Sequence, residues 1–173
     1  SKGVSRGAVS DAVELVQGIG RLLKNLKQKS GVAIKSLDAT LSGEDIIIKQ
    51  SKAVIPLAER GNKVITHADV NRVCEQARIL ASSLEEEIIY DIPLSFGIDG
   101  RNSLVNPLGL YSHRLEVQEY LICCRVSALQ SLDRIVHQAG YELKDVFFSG
   151  LATAKALSAN APQEGVSVVC DVG

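Results

Sequence analysis

The last three residues have the residue types of a phosphate-binding turn. Asp171 ends an apolar run, and Val172 and Gly173 follow it directly. In many phosphate sites an acidic side chain at a strand end reaches a metal ion, while glycine lets the backbone approach the phosphate. The pattern therefore makes Asp171-Val172-Gly173 a candidate start of a phosphate-binding turn.

Cysteine and histidine residues could bind a metal ion or act as nucleophile and base. The chain contains Cys74, Cys123, Cys124, Cys170, His67, His113 and His137. The cysteines form no CxxC pair, and adjacent cysteines on a strand point to opposite faces, so they cannot share one structural zinc. We expect four buried, reduced thiols, with a redox role as the unsupported alternative. The scattered histidines, without a Walker loop, GxSxG or HExxH motif, predict no metal site and no catalytic residue.

Composition limits the classes of partner. The 173 residues carry 19 Lys and Arg against 20 Asp and Glu, a formal charge of −1, and 46% are hydrophobic. That apolar fraction excludes a disordered or collagen-like chain and supports one domain or two small ones. A near-zero charge and only seven aromatic residues, without Trp, argue against nucleic-acid binding. We expect a soluble protein because no signal peptide or membrane-spanning apolar run is present.

The first part of the chain predicts one helix and two strands. After an extended lead-in at 1–10, Asp11 is placed to cap a helix, with Glu14 as its capping-box partner and Ser30-Gly31 at its end. Its predicted buried stripe is Leu15, Val16, Ile19, Leu22, Leu23 and Leu26. The predicted strands are Leu37 to Leu41, turned by Ser42-Gly43, and Ile46 to Pro56.

A second helix is predicted to start at Thr66, with Asp69 in its capping box. Its predicted buried stripe is Val70, Val73, Cys74, Ala77, Leu80 and Ala81. Four polar residues face away from this stripe: Arg72, Glu75, Gln76 and Arg78. The acidic run 85–87 is typical of a solvated loop.

The strongest strand pattern follows, over 88–99, with apolar residues alternating against Asp91, Ser95 and Asp99. Pro93 predicts an edge or a bulge there. A long loop is predicted at 100–112, followed by a strand at 115–124 with Glu116 and Gln118 outward. A helix capped by Ser127 and stopped by Gly140 comes next. The last predicted elements are a short strand at 146–148, a helix at 151–158 and a strand at 166–171.

This interleaving of helices and strands predicts an α/β or α+β fold. The last elements have the pattern of parallel-sheet units, whereas the middle pairs are typical of antiparallel strands. Two sheets are therefore expected rather than one.

Several short stretches together resemble the FtsA family of bacterial cell-division proteins, which has an actin-like ATPase fold. They are Ser5-Arg6-Gly7 ahead of Asp11, Leu41-Ser42-Gly43 with Ile46, IPLSFGID at 92–99, NPLGL at 106–110 with Arg114, Leu121-Ile122 with Cys124, SGLA at 149–152, and Asp171-Val172-Gly173. The stretches occur in the family's order and spacing and cover nearly the whole chain.

The resemblance implies a domain organisation. Residues 1–41 and 123–173 would belong to an actin-like (ribonuclease H-like) subdomain. Residues 42–122 would be the inserted subdomain that distinguishes this family from actin, with the order strand, helix, strand, strand. The pattern of the residues predicts that same order independently.

The resemblance also implies a piece of a longer ATP-binding protein. The first phosphate loop would precede Ser1, and the second would begin at Asp171 and Gly173. ATP and Mg would bind the full-length protein, whereas this segment would hold no cofactor and have no enzymatic activity. Magnesium-dependent ATP binding in a calorimetric titration would contradict that expectation.

The function implied is self-association and recruitment of division proteins at the FtsZ ring. The longer protein would polymerise at the cytoplasmic face of the membrane at the division site, held there by a C-terminal helix that this chain lacks. FtsZ would bind through parts that are also absent, and later division proteins through the inserted subdomain. The expected contact residues are Arg72, Glu75, Gln76, Arg78 and Asp99, with an ordinary solvated helix face as the simpler alternative.

Two other classes remain open at this point. One is a related actin-like adaptor such as the pilus-assembly protein PilM, whose inserted subdomain is similar. The other is a fragment of a sugar-kinase or heat-shock-type ATPase, which would need a further domain after residue 173.

Overall fold

The computed structural model describes residues 3–5, 7–58, 60–159 and 168–170. The helices are α1 (Ala12–Ser30), α2 (His67–Ala81), α3 (Val126–Gln138) and α4 (Ser149–Ser158). The strands are β1 (Val4–Ser5), β2 (Ala8–Val9), β3 (Ser36–Leu41), β4 (Ile46–Pro56), β5 (Lys63–Val64), β6 (Glu86–Ile98), β7 (Arg101–Leu104), β8 (Tyr111–Ser112), β9 (Arg114–Arg125) and β10 (Glu142–Phe148). The predicted mixed α/β fold class is confirmed.

The chain divides into two compact units. The first contains residues 1–46 and 124–173, and the second contains residues 47–123. None of the helices in the described part combines the length and the hydrophobicity that crossing a bilayer requires.

The first unit is built on a parallel pair of strands. β3 pairs with β10 from Ser36↔Glu142 to Leu41↔Phe148. Parallel strands need a long crossover, and here the intervening chain includes α3 directly before β10. α1 packs against α3, and the Asp11 carboxylate accepts a hydrogen bond from the Glu14 N–H at 2.9 Å. The predicted N-cap of α1 is therefore confirmed.

The second unit contains a four-stranded sheet in the order β4-β9-β6-β7, the helix α2 and a separate short β5-β8 pair. Ser51, Ala53 and Ile55 of β4 are buried, whereas the residues between them are exposed. The Ser51 hydroxyl donates to the Ala77 carbonyl of α2 at 2.8 Å. The residues that form the core are Ala53, Ile55, Leu57, Ile65, Val73, Cys74, Ala77, Phe96, Ile98, Leu115 and Val117.

Several predicted segments are wrong because short strands carry little sequence signal. The lead-in contains the antiparallel pair β1-β2, with Val4 opposite Val9. The predicted loop 100–112 contains β7 and β8. The acidic run is partly in β6, where Glu86 pairs with Lys49. Pro93 precedes the β6 segment that pairs with β7, and the irregularity in that pairing lies between Phe96 and Ile98.

The start of α3 also differs from the prediction. Arg125 rather than Ser127 is the N-cap, and no side chain caps it. Ser127 lies within the first turn, where its carbonyl accepts a hydrogen bond from the Ser131 hydroxyl at 2.7 Å. A serine two residues after a strand end is therefore not sufficient to locate the cap.

Three leucines and one cysteine that were predicted to be buried are exposed. Leu22, Leu26 and Leu80 have exposures of 60%, 44% and 63%. In α1, burial ends at Leu23; in α2, Leu80 lies at the edge of the buried stripe. Cys170 is exposed, whereas the other three cysteines are buried. The described residues 168–170 are in no strand, and the rest of the predicted strand 166–171 lies outside the described residues.

Candidate interaction site on the second helix

The first turn of α2 is fixed by a capping box. Thr66 is the N-cap and Asp69 occupies the third helical position. The Thr66 N–H donates to Asp69 Oδ2 at 3.1 Å, and its hydroxyl donates to the same oxygen at 2.7 Å. The predicted capping box is confirmed, and it aims the Asp69 carboxylate back across the start of the helix.

Two cations complete the surroundings of Asp69. Lys63 Nζ lies 3.0 Å from both carboxylate oxygens, and Arg72 donates to Oδ1 at 3.2 Å. Burial alone would raise the pKa of this carboxyl, which is 3% exposed. The hydrogen bonds from Thr66 and Lys63, together with the Lys63 charge, outweigh burial and lower the pKa to about 2.

Charged residues alternate in sign along α2. Asp69, Arg72, Glu75 and Arg78 follow one another at three-residue spacing, so each lies beside the next, while the row turns around the helix from the buried Asp69 to the accessible Arg72, Glu75 and Arg78. Arg72 pairs with Asp69, and Arg78 pairs with Glu75, each at 3.2 Å. We call these four residues the charge ladder. The exposed fractions of the Arg72, Glu75 and Arg78 side chains are 55%, 59% and 43%.

The far end of the charge ladder is attached to the sheet. Arg78 donates through Nε to Asp91 Oδ2 of β6 at 2.8 Å, and a second guanidinium nitrogen contacts the same oxygen. The Asp91 hydrogen bond raises the pKa of Arg78 further above its ordinary value. The arginine is therefore held in one geometry while its edge stays accessible.

Asp99 lies in the turn between β6 and β7. It has a positive φ of 46°, and Gly100 follows with 80°. Its Oδ1 accepts a hydrogen bond from the Ser112 hydroxyl at 2.9 Å and lies 2.7 Å from His113 Nδ1. In a Ser-His-Asp triad the imidazole bridges the other two groups. Here the carboxylate bridges, so the cluster holds a turn rather than activating a nucleophile.

Backbone contacts place this turn at the same end of the unit as the start of α2. Ser112 pairs with Lys63, the residue that binds Asp69. The Leu57 N–H donates to the His113 carbonyl at 2.8 Å, and the neighbouring Pro56 carbonyl accepts from Arg72 at 3.1 Å. The structure thus links Asp99 to the Arg72 end of the charge ladder, whereas Arg78 lies at the other end.

The remaining sequence-predicted residues are placed as follows. Gln76 is half-buried beside the charge ladder. Asp171 and Gly173 lie outside the described residues, so they remain predictions. Among the residues with described positions, no group of three His, Cys, Asp or Glu side chains could hold a metal ion.

Sequence reasoning missed three exposed apolar residues near the end of α2. Ile79 and Leu80 are 57% and 63% exposed, and Leu84 in the following turn is fully exposed. The Ser82-Ser83 pair directly before Leu84 could have indicated that the helix ends there. Lys63 and Asp91 were also missed, because no local pattern reveals which distant residue pairs with a helix.

This arrangement suits protein recognition. Each arginine of the charge ladder is paired with a carboxylate, Arg72 with Asp69 and Arg78 with Glu75 and Asp91, so the surface offers no unpaired positive charge to a phosphate. An alternating charged surface with an adjacent apolar edge is the composition that partner proteins contact.

Comparison with known proteins then gives a consistent result. Residues 43–123 match the family model described as the SHS2 domain inserted in FTSA. The chain is 27% identical over its whole length to the cell division protein FtsA of Pseudomonas aeruginosa and 30% identical to that of Bacillus subtilis. It is 26% identical to that of Escherichia coli strain K12. The chain spans 41%, 39% and 40% of these three relatives.

A solved structure shows the same fold. A chain of a PilM-PilN type IV pilus biogenesis complex superposes with a TM-score of 0.53 over 91% of this chain and 40% of its own length. Sequence identity is 17%, so this likeness concerns the fold alone. It agrees with the expected actin-like architecture carrying an inserted subdomain.

Proposed function

We propose, from the whole-length similarity to FtsA proteins and the match of residues 43–123 to the SHS2 domain inserted in FtsA, that this chain is a non-enzymatic interaction module of a bacterial cell-division protein. Its role is self-association and recruitment of later division proteins at the septum. The exposed side of α2, which carries the charge ladder, is the contact surface.

The observation that carries this proposal is the charge ladder itself. Its exposed arginines are already held by Asp69 and Asp91, so binding a partner freezes few additional rotamers. The neighbouring Ile79 and Leu80 supply apolar area that a partner can bury. An ordinary solvated helix face would require neither feature.

The order of charges favours a second copy as one partner. When two copies pack with their α2 helices antiparallel about a two-fold axis, Arg72 of each copy lies against Glu75 of the other. Such a contact is self-complementary, as the interface of a symmetric dimer must be. Parallel α2 helices in the same register would instead bring like charges together.

The longer protein to which such a segment belongs is proposed to bind ATP and Mg and to act with FtsZ at the cytoplasmic face of the membrane. Asp171 and Gly173 would contribute to the nucleotide site there. The pilus-assembly alternative has only the shared fold in its favour, whereas the family match and the whole-length relatives favour cell division.

A charge-swap experiment tests the self-association. Arg72→Glu and Glu75→Arg each turn two attractive contacts of the proposed dimer into repulsive ones, and we expect each variant alone to weaken dimerisation roughly tenfold. Mixing the two variants restores both contacts in a heterodimer. Sedimentation velocity over a concentration series measures all three cases.

The matched controls are Lys52→Glu and Glu116→Lys. These residues form an ion pair of 2.6 Å on the opposite face of the sheet from α2. The controls should dimerise like the wild type, and thermal unfolding checks that every variant folds. Dimerisation that is unchanged in the α2 variants, or that fails to recover on mixing, contradicts the proposal.

A further inference from the structure

Glu119 is a carboxyl group buried inside the second unit. It lies on the inward face of β9 between Val117 and Leu121, and all three residues have 0% exposure. Within the described residues, neither carboxyl oxygen has a hydrogen-bond partner of ordinary geometry. Burying an ionised carboxylate in this way is very unfavourable, whereas a neutral carboxylic acid is tolerated.

The groups that act on Glu119 come from α2 and β6. α2 contributes the Cys74 thiol, which interacts directly with the carboxyl, and the Arg78 guanidinium. β6 contributes Asp91. Burial raises the pKa of Glu119 and the Asp91 charge raises it further, and together they outweigh the Arg78 charge and the Cys74 hydrogen bond, which lower it. Arg78 is also paired with Asp91 and Glu75, so its charge is shared among three carboxyl groups.

The strand β4 also faces α2, and it places no charged side chain beside Glu119. On that side of β4, Ser51, Ala53 and Ile55 are neutral and buried. Lys49, further along the strand, is paired with Glu86. Cys74 carries no charge either, since burial is the main cause that raises the pKa of its thiol to about 11. A neutral thiol donates only a weak hydrogen bond to the carboxyl, and that bond does not outweigh burial.

We propose that Glu119 is a proton-binding residue that couples the attachment of α2 to pH: it is neutral while α2 covers it, and its ionisation releases the helix from the sheet. Glu119 has no exposed surface and interacts with Cys74 of α2, so a movement of α2 would admit water to the carboxyl. Release of α2 also displaces Arg78 from Asp91 and so dismantles the charge ladder. This last consequence, a pH control of the interaction site, rests on the proposed function, whereas the opening of α2 does not.

Hydrogen exchange of the α2 amides in the 173-residue chain tests the proposal. The protection of residues 67–81 is measured from pH 5 to pH 8 and corrected for the intrinsic exchange rate. In the wild type we expect protection to fall by up to tenfold per pH unit, because the open state releases a proton that the closed state retains. In Glu119→Gln the protection should not depend on pH over that range.

Glu116→Gln is the matched control. It changes the same residue type on the same strand, with the side chain on the opposite face and paired with Lys52. It should keep the wild-type pH dependence. A wild type without pH dependence, or a Glu119→Gln variant that keeps it, overturns the proposal.

A carboxyl-carbon NMR titration of the wild type keeps the test decisive if Glu119→Gln fails to fold. One glutamate resonance that titrates well above the others, and is retained in Glu116→Gln, supports the proposal, and glutamates that all titrate together overturn it. The two proposals can fail separately. If hydrogen exchange of α2 depends on pH but mixing the charge-swap variants does not restore dimerisation, only the proposed function is contradicted. If mixing restores dimerisation but hydrogen exchange does not depend on pH, only the present inference is contradicted.

Discussion

Asp69 lies buried where β5 meets the first turn of α2. Its carboxylate accepts hydrogen bonds from Thr66 and Lys63 and pairs with Arg72, so it connects three segments of the second unit. Hydrogen bonds to a charged group are stronger than neutral ones, and loss of one partner leaves the others unsatisfied. This residue therefore supports both the helix start and the position of Arg72.

Asp69→Asn should lower the free energy of unfolding at pH 7 by about 2 kcal/mol. The pKa of Asp69 falls from 3.8 to about 2 on folding, so its contribution is present above pH 3.8 and is lost as the pH falls towards 2. Urea unfolding should therefore show a difference between wild type and variant that shrinks across this range. Asp133→Asn, at an exposed position of α3, is the control and should change little. A difference that is independent of pH would contradict this account.

At the scale of elements, the β6-β7 hairpin shows how two residues set a register. Ile98 pairs with Arg101, which leaves Asp99 and Gly100 as the two-residue turn, both with positive φ. Such a turn favours Asp-Gly because glycine adopts positive φ without strain. The same turn fixes where the Asp99 carboxylate meets Ser112 and His113.

Gly100→Ala should destabilise the second unit by about 1 kcal/mol, because a Cβ at that φ strains the backbone although it meets no atom within 4 Å. Gly18→Ala has equally open space but lies inside α1. It should instead stabilise its helix by about 0.5–1 kcal/mol. Thermal unfolding of both variants measures the two effects, and equal signs would contradict the role assigned to the turn.

Local signals in the sequence were sufficient for several elements. Asp11, the Thr66-Asp69 capping box and the αL residue Gly31 located helix ends, and the bounds of β4 match their prediction. Asp99-Gly100 also carried a turn signal, although the segment after it was predicted as a loop. Two-residue and four-residue strands such as β8 and β7 depend on pairing with distant residues, which periodicity does not reveal.

The candidate site was predictable only in part, for a related reason. Helical spacing predicted a shared polar face for Arg72, Glu75, Gln76 and Arg78, and Arg78 contacts Glu75 because neighbours on a helix follow from sequence distance. Their pairing with Asp91 and the burial of Glu119 depend on tertiary packing. Position 119 belongs to the inward face by alternation, yet a glutamate there contradicts the usual preference for apolar residues.

At the scale of the whole molecule, two compact units share one chain, and the second carries the proposed function. The second unit has its own core and its own hydrogen-bonded attachment of α2, through Ser51 and Asp91. The chain spans about 40% of its FtsA relatives. Self-association can be measured on this chain directly.

The most direct measurement is a concentration series of amide NMR spectra of the 173-residue chain. As dimer forms, signals of residues at the interface shift. We expect the largest shifts to cluster at residues 72–80 on the outer face of α2. Shifts confined to the outward face of β4 or to the first unit, with residues 72–80 unchanged, would contradict it.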